Sequence, residues 1–396
     1  MSEGRSTVAL QENSDDHRIF LSKIITGRVD APLDRTDAVT WTKLAGLADA
    51  EGVAPLLYWR FRAGQWPAQL PDPLRQSLTE AYYATVAYNT LLFGALHTIL
   101  QSYKSENLPV IVLKGAALAL DLYHDIGLRP MSDIDLLIQQ ADLDRAVAIM
   151  RRLGYIDQTQ DQTPGLHEMA DYHIGLIGGP RNLVRVELHW GLVSGSSAWY
   201  AAPVDWFWAH TQPWGEDGFA KALTAEACLI YLAGHTMLQH GGSQLILIWL
   251  YDIHCLVQSG TICWQELVTE VRKLNWGGVV QQALLQCQRL FGTDLPEGII
   301  ESLAVQADPD ITRLVEFKQR FGGVRLIYDW YSLMALRGVP RLRYILGMVF
   351  PQPAYMRWRY RPRPGWLWPV YYPYRWLRML IEGVLAIRQG ILRAMK

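Results

Sequence analysis

The chain has 396 residues, which is long enough for two or three domains, and half of these residues are hydrophobic. Only 19% are charged and the formal net charge is −1, so a globally disordered chain is excluded. The four cysteines form neither a Cys-x-x-Cys pair nor a zinc-ligand spacing, so we expect buried free thiols in a reducing compartment.

The small net charge hides an uneven distribution along the chain. Residues 341–396 contain ten arginines and one lysine against a single acidic residue, Glu382, which gives +10. The preceding 340 residues contain 26 basic and 37 acidic residues, which gives −11. A basic segment on an acidic body indicates a membrane or RNA partner, or docking of the segment onto the body. We expect intramolecular docking, with the tryptophans and tyrosines of the segment buried.

The N-terminal part of the chain is predicted to be helical after a polar start. Residues 1–16 lack the apolar segment of a signal peptide, so we expect them to be disordered and the protein to be cytoplasmic. From residue 17 to residue 105, apolar side chains recur at helical spacing. Residues 74–105 contain no proline and one glycine, Gly94, which predicts a single long helix.

Residues 106–200 carry the strand patterns, and the stretch that begins at Val110 is the most informative. An apolar strand is followed by Gly115 and a short helix, and the next strand contains Asp133 and Asp135. Residues two apart in a strand point to the same face, so these two carboxylates project together. Adjacent carboxylates repel each other, and their oxygens are the ligands that Mg²⁺ prefers. The pattern therefore predicts a metal site.

The turn at Gly115 adds a second chemical feature. The first backbone N–H groups of a helix have no partner within the helix, and they can bind an anion such as a phosphate. A phosphate site beside a pair of metal-binding carboxylates suggests nucleotidyl or phosphoryl transfer.

Two further strands are predicted at residues 173–177 and 183–190, joined by a glycine-rich turn that is typical of a hairpin. Glu187 and His189 lie at strand spacing and share one face of the second strand. We interpret His189 as a structural histidine. The predicted fold is α+β, with a small mixed-sheet core flanked by N-terminal and C-terminal helical regions.

Residues 201–340 return to helical spacing, and prolines interrupt the first part of the basic segment 341–396, which ends in a helix. His235 and His240 lie five residues apart, whereas two zinc ligands on one helix face lie four apart. We therefore expect these two histidines to pack in the interior rather than to bind metal.

Three of these segments carry a resemblance to a known family. Residues 113–116 are LKGA, residues 129–135 are RPMSDID, and residues 183–190 supply a later acidic residue, Glu187. This arrangement resembles the DNA polymerase β-like nucleotidyltransferase superfamily, and more closely an uncharacterised bacterial nucleotidyltransferase family. The resemblance is strongest over residues 110–138.

The resemblance implies a fold, a cofactor and a set of site residues. Asp133, Asp135 and Glu187 would be the catalytic residues and the ligands of Mg²⁺ or Mn²⁺. The nucleoside triphosphate would be bound by Lys114, Gly115, Ala116, Arg129 and Ser132. Ala116 stands where the superfamily usually has serine or glycine, so one phosphate-binding hydroxyl is missing, and the charges of Lys114 and Arg129 could compensate.

The expected activity is transfer of a nucleoside monophosphate from a nucleoside triphosphate to a hydroxyl or phosphate acceptor, with release of pyrophosphate. The acceptor could be a small molecule, a protein or RNA. Two alternatives remain open at this point. Ala116 favours a non-catalytic nucleotide-binding or scaffold protein, and the basic tail favours a transferase that acts on nucleic acid.

Overall fold

The computed structural model describes residues 3–29, 33, 36–63, 66–157, 172–192, 203–240, 245–305, 338–351, 353–360 and 362–394. The helices are α1 (Glu3–Thr26), α2 (Ala38–Ala50), α3 (Ala54–Ala63), α4 (Asp72–Ser105), α5 (Lys114–Asp121), α6 (Leu143–Arg152), α7 (Val204–Ala209), α8 (Ala225–Gly234), α9 (Leu247–Gln258), α10 (Trp264–Leu274), α11 (Gly277–Phe291), α12 (Ile299–Ala304), α13 (Gly338–Val349), α14 (Pro353–Tyr360) and α15 (Tyr371–Ala394). The strands are β1 (Ile111–Val112), β2 (Ile134–Leu137), β3 (Ile156–Asp157), β4 (His173–Gly178), β5 (Val184–His189), β6 (Thr211–Trp214) and β7 (Ala220–Leu223).

The seven strands form one mixed sheet in the order β3-β4-β5-β2-β1-β7-β6. The pairs β2–β5 and β1–β7 are parallel, and the other four pairs are antiparallel. The predicted α+β class is therefore confirmed, and the predicted hairpin is the pair β4–β5.

The sheet separates two apolar cores, because neighbouring residues of each strand point to opposite faces. Leu136 of β2 and Leu188 of β5 belong to one core, which they share with Leu96 of α4 and Met150 of α6. Leu137 of β2 belongs to the other core, where the N-terminal helices pack with α8, α9 and α11. Odd-numbered residues of β2 therefore face the second core.

The long helix α4 matches the prediction for residues 74–105. It begins at Asp72, an acidic residue in the first turn that favours the helix dipole, followed by a proline at a position that tolerates it. Its buried residues recur at intervals of three, four or seven positions and form one stripe along the helix: Leu78, Tyr82, Asn89, Leu92, Leu96, Ile99 and Tyr103. This stripe fixes α4 across the sheet.

Two boundaries differ from those predicted. Helix α1 begins at Glu3, although we expected residues 1–16 to be disordered. The sheet also continues past residue 200, because β6 and β7 form a hairpin that pairs with β1. These strands have four residues each and β6 contains Pro213, so their alternation is too short to stand out from the helical pattern around them.

The basic segment packs mainly on itself within the part of the chain that the structure describes. A 3₁₀ turn (Gly365–Val370) packs against α14 and α15, and Trp376 Nε1 donates to the Val349 carbonyl at 2.8 Å. The expectation that docking would bury the aromatic side chains does not hold for Trp366, which is 72% exposed, or for Trp376. Among the described residues, no helix is long and apolar enough to cross a membrane.

Candidate active site

Two of the three predicted acidic residues lie side by side on the sheet. In the parallel pair β2–β5, Asp135 is directly opposite Glu187, and Ile134 is opposite Val186. Asp133 precedes β2 by one residue, and its charge interacts with those of Asp135 and Glu187. Gly175 of β4 lies opposite Glu187 on the other neighbouring strand and has no side chain. The structure therefore brings the three predicted carboxylates together.

Two histidines complete this face of the sheet. His189 lies two residues after Glu187, and its Nε2 atom is 2.8 Å from Asp135 Oδ1 and 3.3 Å from Glu187 Oε2. His173 of β4 lies directly opposite His189, and its Nε2 atom is 3.7 Å from Glu187 Oε1. His189 is fully buried, whereas the side chains of His173 and Glu187 are about a quarter to a third exposed. Glu187 and His173 can thus be reached from solvent.

Lys114 adds a positive charge next to the Asp135 oxygen that His189 also contacts. Its Nζ atom is 3.0 Å from Asp135 Oδ1, and it lies over the ring of Tyr231 of α8. The backbone of Lys114 has a φ of 42°, in the left-handed region that side chains other than glycine rarely adopt. Such strain is often found where the surrounding structure must hold a residue in one place for function.

The charges of this cluster are coupled. Burial, and then the charges of Asp135 and Glu187, raises the pKa of Asp133 to about 6. Burial also opposes ionisation of Asp135, but the Lys114 ammonium and the His189 hydrogen bond outweigh it and hold the Asp135 pKa well below its ordinary value. Asp135 is therefore neutralised by protein groups, whereas negative charge at Asp133 is not fully compensated.

His189 couples the two strands electrostatically. Burial lowers the pKa of His189, but the hydrogen bonds to Asp135 and Glu187 outweigh burial, so that the net pKa is raised. In the same way, burial disfavours the charged form of Glu187, and the hydrogen bond from His189 brings its pKa below the ordinary value. His189 therefore contacts and orients the carboxylates of both Asp135 and Glu187. We expected His189 to be a structural histidine, and the side chains that it contacts are two of the predicted catalytic carboxylates, Asp135 and Glu187.

The two halves of the sequence motif pack against each other at Gly115. A Cβ atom on Gly115 would lie 2.9 Å from Met131 Cγ and 3.3 Å from the guanidinium of Arg129. Glycine is therefore required where the RPM turn crosses the start of α5. Helix α5 starts at Lys114 without a side-chain cap, so its first N–H groups have no partner within the helix, and the Lys114 side chain reaches Asp135.

Arg129 is held in the interior rather than directed at solvent. Its Nε and a terminal nitrogen donate to the two oxygens of Asp252 at 3.1 and 2.7 Å, and the other terminal nitrogen donates to the Pro130 carbonyl. Tyr123 also donates to Asp252 at 2.7 Å. Arg129 is 7% exposed and Asp252 1%. This geometry favours a structural role for Arg129 in holding the RPM turn over direct phosphate binding.

Two other predicted nucleotide-binding residues have different surroundings. The Ala116 side chain is buried in the core that contains Val112 and Met131, so a hydroxyl at this position would enter an apolar environment. Ser132 donates to Asp133 Oδ1 at 3.0 Å, and Tyr88 of α4 donates to the Ser132 carbonyl. Ser132 thus positions the first carboxylate, and it remains near the place where a triphosphate would bind.

The set of site residues is larger than the sequence indicated. His173 was not predicted, because only the register of β4 with β5 places it beside His189. Asp252 lies 123 residues after Arg129 in the sequence, so only the fold shows that the two residues are partners. His235 and His240, by contrast, stack around Trp249, as expected for packing residues.

The donor set fits a divalent cation. Among the described residues, His173, Glu187 and His189 offer ligand atoms that all lie within 4.8 Å of one another. Asp133 and Asp135 lie next to this group, and the raised pKa of Asp133 marks uncompensated negative charge that a cation would relieve. Carboxylate oxygens suit Mg²⁺ and Mn²⁺, whereas imidazole nitrogen suits transition metals such as Fe²⁺ and Zn²⁺.

Comparison with protein families agrees with this geometry. The model of a family described as uncharacterised nucleotidyltransferase matches residues 37–292, about two thirds of the chain. The chain belongs to this nucleotidyltransferase family. The matched residues include the whole sheet, the carboxylate cluster and the Arg129–Asp252 pair, whereas α13, α14 and α15 lie outside them. No curated protein was found to match the chain. Family membership supports nucleotidyl transfer in general and a nucleotide substrate.

Proposed function

We propose that the protein is a Mg²⁺- or Mn²⁺-dependent nucleotidyltransferase whose catalytic residues are Asp133, Asp135 and Glu187. The reaction would be attack by an acceptor hydroxyl or phosphate oxygen on the α-phosphorus of a nucleoside triphosphate. The bond from the α-phosphorus to the bridging oxygen breaks, and pyrophosphate leaves. Because nucleoside triphosphates are cytoplasmic metabolites, we propose a cytoplasmic site of action.

The observation that carries this proposal is the convergence of three carboxylates from two segments of the chain, residues 133–135 and strand β5. Asp135 and Glu187 lie opposite each other on parallel strands, and Asp133 is held at their side by Ser132. A divalent cation bound by these carboxylates would neutralise triphosphate charge and fix the position of the α-phosphorus. His189 fixes the orientation of two of the carboxylates through hydrogen bonds of 2.8 and 3.3 Å.

Two features would bind the triphosphate. The N–H groups at the start of α5, near Gly115, provide donors without helical partners, which suit an anion. Lys114 contributes a positive charge close to Asp135. Arg129 acts indirectly in this proposal, because its bond to Asp252 holds the RPM turn against Gly115.

Glu187 is suited to accept the proton of the attacking oxygen. It is the more exposed partner in its contact with His189, and the pKa below its ordinary value keeps it ionised near neutral pH. The hydrogen bond from His189 directs one carboxylate oxygen toward the protein, and Gly175, which lies opposite Glu187 on β4, has no side chain.

The direct test is incubation of the protein with each α-labelled nucleoside triphosphate, Mg²⁺ or Mn²⁺ and a cell extract, followed by identification of the labelled product. We expect label in a product, together with pyrophosphate release, with the parent protein. We expect neither with Asp133→Asn/Asp135→Asn, provided that this variant has the circular dichroism spectrum of the parent. Labelling that is equal in parent and variant would overturn the residue assignment.

A non-catalytic nucleotide-binding protein is the second candidate, and one observation favours it. Asp135 is already neutralised by Lys114 and His189, so its demand for a cation is reduced. Tight, metal-dependent nucleotide binding without any labelled product across acceptor extracts would support this alternative over the transferase.

A further inference from the structure

The described residues of the C-terminal segment 338–394 expose an unusual amount of apolar surface. Of the 22 large hydrophobic side chains that are exposed in the described residues, fourteen lie in this segment. They are Val339, Leu342, Ile345, Leu346, Phe350, Trp366, Val370, Tyr374, Trp376, Leu377, Leu380, Ile381, Val384 and Leu385. Single exposed hydrophobic residues are common, but a concentration of this size marks an interaction surface.

The exposed residues are arranged in stripes along helices. In α15, four aliphatic residues occupy positions i, i+3, i+4 and i+7, so they share one helix face: Leu377, Leu380, Ile381 and Val384. Leu380 and Val384 are 69% and 65% exposed. In α13, Val339, Leu342 and Leu346 follow the same rule. Both helices thus present apolar faces that the described residues leave uncovered.

The same segment is strongly basic. Residues 341–396 carry +10, with Glu382 as their single acidic residue, so the segment cannot neutralise its own charge. Exposed arginines lie among the apolar residues, at Arg378 of α15 and at Arg359 and Arg363 nearby. Arg375 of α15, by contrast, donates to the Met348 carbonyl and holds α15 against α13. A helix with an apolar stripe and adjacent cationic residues is typical of segments that lie in the interface of a membrane.

Aromatic residues with polar edges add to this pattern. Trp366 is 72% exposed, and Tyr374 and Trp376 are also exposed. Tryptophan and tyrosine are favoured at the boundary between lipid headgroups and acyl chains, because one end of each ring is apolar and the other is polar.

We propose that α13, α15 and the turn around Trp366 form a docking surface for an anionic phospholipid bilayer. The aliphatic stripes would enter the headgroup–acyl boundary, and the arginines would contact lipid phosphates. RNA would satisfy the arginines, but it offers no apolar partner for a stripe of leucine, isoleucine and valine. A second copy would cover the stripes, but it would bring two surfaces of +10 together.

This surface contains none of the residues of the carboxylate cluster, and it lies outside the residues that match the nucleotidyltransferase family. The proposal is therefore independent of the proposed reaction.

The test is flotation of the full-length protein with two kinds of vesicle, one of phosphatidylcholine and one that also contains phosphatidylglycerol. We expect binding to the anionic vesicles that weakens with salt and is low on the neutral ones. Leu377→Glu/Ile381→Glu should reduce the partition coefficient about tenfold or more, because each change removes an exposed aliphatic side chain from the boundary. The control is Val39→Glu, which changes an aliphatic residue of α2 that is 66% exposed, and this variant should bind as the parent does.

Three outcomes would overturn the proposal. The first is a lack of binding to anionic vesicles, and the second is binding that the double substitution in α15 leaves unchanged. The third is concentration-dependent self-association in lipid-free sedimentation that the same double substitution abolishes, since a second copy would then be the occupant. Salt-sensitive RNA binding that survives the double substitution, in the absence of vesicle binding, would assign the arginines to nucleic acid instead.

Discussion

The buried pair formed by Arg129 and Asp252 gives the sharpest prediction about the fold. Asp252→Asn keeps the size of the side chain but removes its charge, and it places an NH₂ group where a carboxylate oxygen accepts from Arg129. The carboxylate accepts two hydrogen bonds from Arg129, at 3.1 and 2.7 Å, and one from Tyr123 at 2.7 Å. With Arg129 7% exposed, the guanidinium cannot turn to water.

The expected loss follows from the unpaired charge. Removing one partner of a buried ion pair costs about 3–5 kcal/mol, because the remaining charge stays buried without compensation. Burial lowers the pKa of Arg129, and the charge of Asp252 outweighs burial and raises it. A guanidinium stays protonated in proteins even without an acidic partner, so the positive charge remains when Asp252 is neutralised. We therefore expect Asp252→Asn to lower the free energy of unfolding by about 3–5 kcal/mol.

Urea unfolding followed by circular dichroism measures this change. The matched control is Asp217→Asn, which breaks an ion pair with Lys104 at the surface. The side chains of Lys104 and Asp217 are 46% and 41% exposed. That control should leave the unfolding curve unchanged within error. The double variant Arg129→Met/Asp252→Leu should recover most of the lost stability, because it removes both charges. If Asp252→Asn is as harmless as Asp217→Asn, the reasoning about this pair is wrong.

Three further predictions concern other parts of the site and core. Gly115→Ala places a Cβ 2.9 Å from Met131 Cγ, so it should lower the free energy of unfolding by about 1–3 kcal/mol in the same urea assay. Met131→Ala should relieve this effect, and an unchanged free energy of unfolding in Gly115→Ala would refute the close contact. Because the pKa of Asp133 is raised to about 6, its carboxyl is protonated below that pH. The Mn²⁺ affinity measured by calorimetry should therefore fall by up to about tenfold per pH unit below pH 6. A Mn²⁺ affinity that does not change with pH would argue against Asp133 as a ligand. In the native protein a thiol reagent should modify Cys263 quickly and the three less exposed cysteines slowly, because burial raises the pKa of these three thiols. Fast labelling of Cys287 would contradict the described core.

Features that depend on local pattern were predictable from the sequence. The spacing of Asp133 and Asp135 placed both on one strand face, and the glycine-rich turn between residues 177 and 183 indicated the β4–β5 hairpin. The long helix α4 and the terminal helix α15 were also predictable, because apolar periodicity over twenty or more residues is a strong signal.

Features that depend on contacts between distant segments were not predictable. The pairing of His173 with His189 requires the register of two strands, and the bond between Arg129 and Asp252 joins residues 123 positions apart. Neither contact leaves a local periodicity. The exposure of α15 was also not predicted. An apolar stripe indicates that a helix face is covered, but it does not indicate by what, and we expected the rest of the same chain to cover it.

Calorimetric titration of a nucleoside triphosphate into the protein, with and without Mg²⁺ or Mn²⁺, tests the central claim most directly. The account predicts binding that requires the cation and disappears in Asp133→Asn/Asp135→Asn, while a folded control such as Asp217→Asn binds like the parent. Binding that persists in the double variant, or that is indifferent to the cation, would contradict the assignment of the carboxylate cluster as the nucleotide and metal site.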